Sequence, residues 1–241
     1  GLTAAAAAGI VADDADAKLQ VLAGITPEQV EQIAAYEQRG IVHVHPSEKD
    51  YIFDIQVRVN AAGHTAFAEI AGFHTNVIRL ERDGTVLLDR PYTEEGPKHA
   101  TDRSLLTVEH IVEFADAVKI EDVQPVLQRQ IDCNTAIAKE GLRGQWGANI
   151  GRILLESYGD STHNRAKAWA AAGSDARMNG CELPVVINSG SGNQGLTASL
   201  PVIIYARALG STREELYRAL VVSNLVTIHL KTGIGSLSAY C

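Results

Sequence analysis

Phe53-Asp54-Ile55-Gln56-Val57-Arg58-Val59 alternates apolar and polar residues for seven positions. That period of two belongs to a strand with one face toward a core. Asn60–Gly63 follows as a turn, Thr65–Ala71 repeats the strand pattern, and Val77–Arg82 gives a third run. Asp83-Gly84 is a two-residue hairpin signal leading into Thr85–Leu88. The stretch 41–90 therefore reads as a small antiparallel sheet.

Upstream, Thr26-Pro27-Glu28-Gln29 starts a helix, with Thr as N-cap, Pro at the first position and Gln three residues beyond the cap. Gly40 ends it. Residues 1–24, rich in Ala, read as the tail of a helix and a connection. Downstream, residues 91–103 are rich in Pro, Gly and charge and form the linker out of the sheet. Beyond 104 the apolar period lengthens to that of helices. They are expected at 108–118, 122–139, 149–158, 163–172, 196–209 and 212–230, with a glycine-punctuated segment from Gly141 to Gly151. The fold class is α+β: a small antiparallel sheet subdomain packed on a mostly α-helical body. Residues 1–103 form the first subdomain and 104–241 the second, catalytic-type one, incomplete at both ends.

The 241 residues carry 21 Lys and Arg against 29 Asp and Glu, a net charge of -8. No basic surplus exists to neutralise phosphates, which argues against a nucleic-acid partner. No apolar run reaches membrane-spanning length. Three widely spaced cysteines, Cys133, Cys181 and Cys241, form no disulfide framework and suit a reducing cytoplasm. Cys133 reads as a small buried hydrophobe.

The unusual chemistry lies at Ser189-Gly190-Ser191-Gly192-Asn193-Gln194-Gly195. Glycines at this density let a ligand approach the main chain, and a helix starting here would turn free amides toward an anion. Ser189, Gly190, Ser191, Gly192, Asn193 and Gln194 are thus candidate substrate-binding residues. They should form an exposed turn at the start of a helix that Pro201 kinks or delays.

Gly190, Gly192 and Gly195 also fit G-x-G-x-x-G, and Pro184–Ile187 reads as a strand ahead of them. A dinucleotide site needs an acidic residue at a second strand's end. Glu214 and Glu215 lie at the right distance but follow Ser211 in Ser211-Thr212-Arg213-Glu214, a helix-starting capping box, which disfavours that reading. His43 and His45, two apart on a strand, lack a third ligand, and a solvated strand edge explains them better. Gly72-Phe73-His74-Thr75-Asn76 sets a polar cluster at a sheet turn, where His74 is a candidate catalytic residue. The alternative is a turn satisfied by its own side chains. Asp175 and Arg177 are expected to pair at a helix end.

Ser174–Gly180 (S-D-A-R-M-N-G), Asn188–Gly195, Leu237–Cys241 (L-S-A-Y-C) and Gly72–Asn76 together resemble the iron–sulfur L-serine dehydratase alpha-chain family. The likeness is closest to its branch of cysteine desulfidases and relatives of unassigned function. The resemblance implies a lyase that takes L-cysteine or L-serine to pyruvate and ammonia, with sulfide or water released. It implies a [4Fe-4S] cluster and no pyridoxal phosphate, a small amino-acid partner, and room for a homodimer. Cys241 matches one cluster ligand. The others have no counterpart in this chain, which by itself is expected to be inactive and to hold no cluster. A non-catalytic ligand-binding domain of the same family is the alternative, and a dinucleotide-binding oxidoreductase a more distant one.

Overall fold

The computed structural model describes residues 1–51, 53–92 and 102–234. The chain divides into two compact units, one of residues 1–7 and 34–102, the other of 8–33 and 103–241. The fold class is α+β.

In the first unit the period-two stretch forms an antiparallel meander of β1 (Asp54–Ala61), β2 (His64–Ala71), β3 (Val77–Arg82) and β4 (Thr85–Asp89), in that order. Two of its connections are two-residue turns. Ala62 and Gly63 have φ of 51° and 83°, Asp83 and Gly84 of 48° and 79°. Positive φ at both central positions matches the right-handed twist of the strands they join. Asp83 adds to its turn by accepting from Thr65 N at 2.8 Å and pairing with His64 Nδ1 at 2.9 Å. On one face Ala71, Ile78 and Glu69 are buried, and Lys49 reaches the Glu69 carboxylate. On the other, the expected burial of β1 fails. Ile55, Val57 and Val59 are 45%, 44% and 36% exposed. His43 and His45 also lie outside any strand, because the ladder begins only at Asp54.

Among the described residues the helices are α1 (Leu2–Ala12), α2 (Pro27–Gln38), α3 (Val108–Ala117), α4 (Ile120–Arg143), α5 (Ile150–Tyr158), α6 (Thr162–Met178), α7 (Gly192–Leu209) and α8 (Arg213–Lys231). The start of α2 is as the sequence indicates, with Thr26 and Gln29 exchanging backbone and side-chain bonds. Thr107, Ser161, Ser191 and Thr212 each cap the helix they precede by accepting an amide three residues on.

The second unit is built around α6, which packs against α4, α5 and α7. Its alanines Ala168, Ala172 and Ala176 are fully or almost fully buried. Small side chains bring backbones close. A Cβ on Gly141 of α4 would lie 2.0 Å from Ala172 O, and one on Gly151 of α5 would lie 2.4 Å from Ala168 O. Larger residues fill the core beside it: Ile137, Leu196, Leu200, Ile203 and Leu220 are all 0% exposed. Burying each such side chain is worth about 1.5–3 kcal/mol before entropy is charged against it.

Helix α4 runs through Gly141 to Arg143, so the glycine-punctuated segment is shorter than the sequence suggests. Helix α7 is continuous across Pro201, which is neither a break nor a start. The proline removes the donor for Thr197 O, and Thr197 lies on the exposed side of the helix. No described helix is long and apolar enough to cross a membrane.

Candidate functional site

The loop before α7 is set by three glycines for three separate reasons. Ser189 and Gly190 have φ of 47° and 80° and turn the chain between Asn188 and Ser191. Those two residues exchange backbone bonds, Asn188 N to Ser191 O at 3.1 Å and Ser191 N to Asn188 O at 3.0 Å. The segment is a miniature hairpin, Asn188 and Ser191 forming its lone bridge. Gly195 faces the incoming chain, and a Cβ there would meet Val186 O at 2.1 Å. Gly192 faces Arg177: its Cβ would stand 2.2 Å from the guanidinium Nε and 2.7 Å from Cζ.

The loop is not the exposed turn expected from sequence. Ser191 is 7% and Asn188 5% exposed, Gly192 is buried, and Ser189, Gly190, Asn193 and Gln194 are half-buried. A polar network below it accounts for the burial. Asn134, fully buried on α4, accepts from Val186 N at 2.9 Å and donates to Ser199 Oγ at 2.9 Å and Gly195 O at 3.2 Å. Asn188 donates to Asn224 Oδ1 at 2.9 Å, and Asn224 and Gln130 exchange amide bonds at 2.8 and 3.0 Å. Such groups are costly unless satisfied, and here each has its partners.

The loop amides divide into two sets. Ser191 Oγ and Ser191 O take the amides of Gln194 and Gly195. Gly192 and Asn193, the first two residues of α7, carry amides for which no intrahelical carbonyl exists. Arg177 lies over this end, donating to Asn193 Oδ1 and Met178 Sδ, each at 3.2 Å. Among the described residues it makes no salt bridge. Its backbone in the last turn of α6 suits a cation, but its guanidinium stands at the amide end of α7, where a cation is disfavoured and an anion favoured. A carboxylate placed there would meet two free amides and a fork of donors.

Asp175 does not pair with Arg177. Its Oδ2 accepts from Ile150 N at 2.8 Å at the start of α5. His74 belongs to the other unit, exposed at the β2–β3 turn with its ring 5.0 Å from that of Phe53. That turn is tied down by Asn76, which donates to Ala71 O at 2.8 Å. Cys241 lies outside the described residues. Cys133 is half-buried on α4, beside a hollow of about 630 Å³ that also takes in Gln128, Arg129 and Asp132 but none of the loop. Cys181 is half-buried just past α6. No group of three or more His, Cys, Asp or Glu among the described residues comes together as a metal would require.

The dinucleotide alternative fails on geometry. Pro184–Ile187 is not a strand, the element before the loop is α6, and the described sheet is wholly antiparallel and closes at Asp89.

Residues 16–241 match the family described as serine dehydratase alpha chain. The chain belongs to the serine dehydratase alpha-chain family. A UPF0597 protein of Desulfitobacterium hafniense is 51% identical to it over 241 residues, which cover all of this chain and 56% of that protein. One from Lachnoclostridium phytofermentans is 46% identical, covering all of this chain and 58% of that protein. One from Fusobacterium nucleatum is 40% identical over the same shares. The chain thus spans little more than half the length of these relatives. No solved structure matches it.

Sequence reasoning missed two things in this family member: the approach of Arg177 to Gly192, and the Gln130–Asn134 side of the network. A signal for the second was present. Gln130 and Asn134 share the face of α4 that carries Leu127, Ile137 and Ala138, and polar residues on an apolar face at a spacing of four mark a buried network.

Proposed function

We propose that the protein containing this chain is a lyase that eliminates the β-substituent of a small amino acid. L-serine or L-cysteine is the substrate, and pyruvate and ammonia, with water or sulfide, are the products. Ser189–Gln194 and Arg177 hold the substrate carboxylate. The observation that carries the reading is the guanidinium at Gly192, poised over the open amide end of α7 with no carboxylate partner among the described residues. Membership of the serine dehydratase alpha-chain family supports the reaction class.

In this scheme the loop does the binding work. It fixes the carboxylate so that the α-proton and the β-hydroxyl or thiol point to one side. A base takes the α-proton, the β-group departs, and the enamine that remains takes up water to give pyruvate and ammonia.

An iron–sulfur cluster belongs to the resemblance, but the described residues do not by themselves fit one. Cys133 lies on α4 and Cys181 past the end of α6, and no three ligand-type side chains converge among the described residues. Cys241 is retained as the proposed ligand, with its partners in the remainder of the longer protein. Free thiols and small-metabolite chemistry suit a cytoplasmic setting.

The test uses the full-length protein, Arg177→Gln and Arg177→Lys, assayed for pyruvate from L-serine and from L-cysteine. The KM for either substrate should rise roughly 10–100-fold in Arg177→Gln, the loss of a charge-assisted carboxylate contact. Iron content should not change. An unchanged KM with pyruvate still formed would remove Arg177 from the site. Saturable binding of L-serine without any pyruvate would favour the non-catalytic alternative.

A further inference from the structure

The geometry points to β1 as a self-pairing edge: two copies of this chain join through antiparallel β1 strands, with the two-fold axis at Gln56. The observations lie within the sheet. β1 is its outer strand, eight residues long and in unbroken register with β2. β4, at the other edge, has five residues and a register shift in its pairing. Gly72 N donates to Phe53 O at 2.9 Å. By the alternation of antiparallel ladders, Phe53, Ile55, Val57 and Val59 then carry the bonds to β2. Asp54, Gln56, Arg58 and Asn60 turn their amides and carbonyls to the open edge, where none has a backbone partner among the described residues.

Edges of this kind are usually protected by charge. Here the charges select a register instead. Residues of the outward set must face one another as the bonded pairs of a new ladder, so the axis falls at Gln56, or two positions along at Asp54 or Arg58, or midway at a non-bonded pair. With the axis at Gln56, Asp54 of each copy faces Arg58 of the other, and two opposite-charge pairs form. With the axis at Val57, Asp54 faces Asn60. With it at Ile55, Asp54 faces Gln56. The Gln56 register also sets Ile55 opposite Val57 and Phe53 opposite Val59. The half-exposed apolar row thereby doubles into one continuous ribbon on a single face of an eight-stranded sheet. Ser47 and Gln56 each donate to Asp54 Oδ2.

Sedimentation velocity on the intact chain and two charge variants tests this. The parent chain should be dimeric. Asp54→Arg and Arg58→Asp should each weaken dimerisation roughly tenfold or more, since each variant sets two like-charge pairs against each other. An equimolar mixture of the two variants should recover the parent affinity, because every cross-strand pair is then of opposite sign. Recovery on mixing also shows that both variants are folded. A parallel measurement uses Gln56→Cys, which should form an interchain disulfide absent from the parent. Facing Cα atoms of a bonded pair stand at about 5.5 Å, within disulfide reach. A monomeric parent overturns the proposal. So does a dimer indifferent to both charge variants, which would use another surface, or a mixture that stays monomeric.

Discussion

Gly190, Gly192 and Gly195 look equivalent in the sequence and are not. The first supplies a left-handed turn, the second makes room for a side chain, and the third makes room for a backbone. Substitution by alanine should separate the last two. At Gly192 the new methyl group meets the guanidinium of Arg177, a long exposed side chain that can swing away. Gly192→Ala should therefore keep its unfolding free energy within about 0.5 kcal/mol and weaken binding of L-serine by roughly tenfold. At Gly195 the methyl group meets Val186 O, which is held in turn by Asn134. Gly195→Ala should cost roughly 1–3 kcal/mol in chemical denaturation. Equal stability losses in the two variants would contradict this division. The glycine run was legible as a special place because glycine density is a local property. Which glycine served which purpose was not, since Arg177 and Val186 reach the loop through space. The misreading of Asp175 has the same origin. Its partner is an amide at Ile150, 25 positions earlier, whereas Arg177 is only the nearest charge in the chain.

Elements were easiest to read where their ends are written in local chemistry. Ser211-Thr212-Arg213-Glu214 announces α8, and the reciprocal cap is present one residue later, between Thr212 and Glu215. That cap carries a pH signature. The Thr212 amide, and then its hydroxyl, hold the Glu215 carboxyl below its ordinary value of 4.5. A carboxyl lowered in the folded state contributes stability that is present above its unfolded value and is lost as pH falls through the folded one. Amide exchange at the start of α8 should therefore accelerate below about pH 4.5, relative to the rest of that helix. Glu215→Gln should flatten this acid limb. An acid limb of undiminished size in the variant would place the titrating group elsewhere.

Ends were misread where tertiary contact outweighs local preference. The helix expected at 163–172 continues through Gly173 to Met178, and position 173 packs against Leu196 and Leu200 with no room to spare. Pro184–Ile187 has strand-like residues but no strand beside it, and Asn134 bonds its backbone instead. Pro201 reads as a kink or a delayed start, but α7 begins at Gly192 and runs through it, with buried Leu200, Ile203 and Ile204 holding the turns on either side.

At the scale of the whole molecule, the change of apolar period from two to 3.6 between residues 90 and 104 was enough to give an α+β fold with its sheet first. Burial was harder to foresee, and β1 shows why. An alternating strand declares which side is apolar, but not whether anything within the same chain covers it. The helical unit presents the opposite case, since its alanines and glycines look weakly hydrophobic and are packed at backbone contact. Close packing of this kind has a volumetric consequence. Hydrostatic pressure unfolds proteins by eliminating internal voids, and a unit whose helices meet with no side chain between them holds few. Trp146 and Trp169, the chain's two tryptophans, both pack against that core, so their fluorescence under pressure reports on it alone. The parent chain should resist. Leu200→Ala, which empties a fully buried site at a cost of about 2–5 kcal/mol, should unfold at distinctly lower pressure and with a larger volume decrease. An unchanged volume of unfolding in that variant would mean that α6 and its neighbours close over the gap.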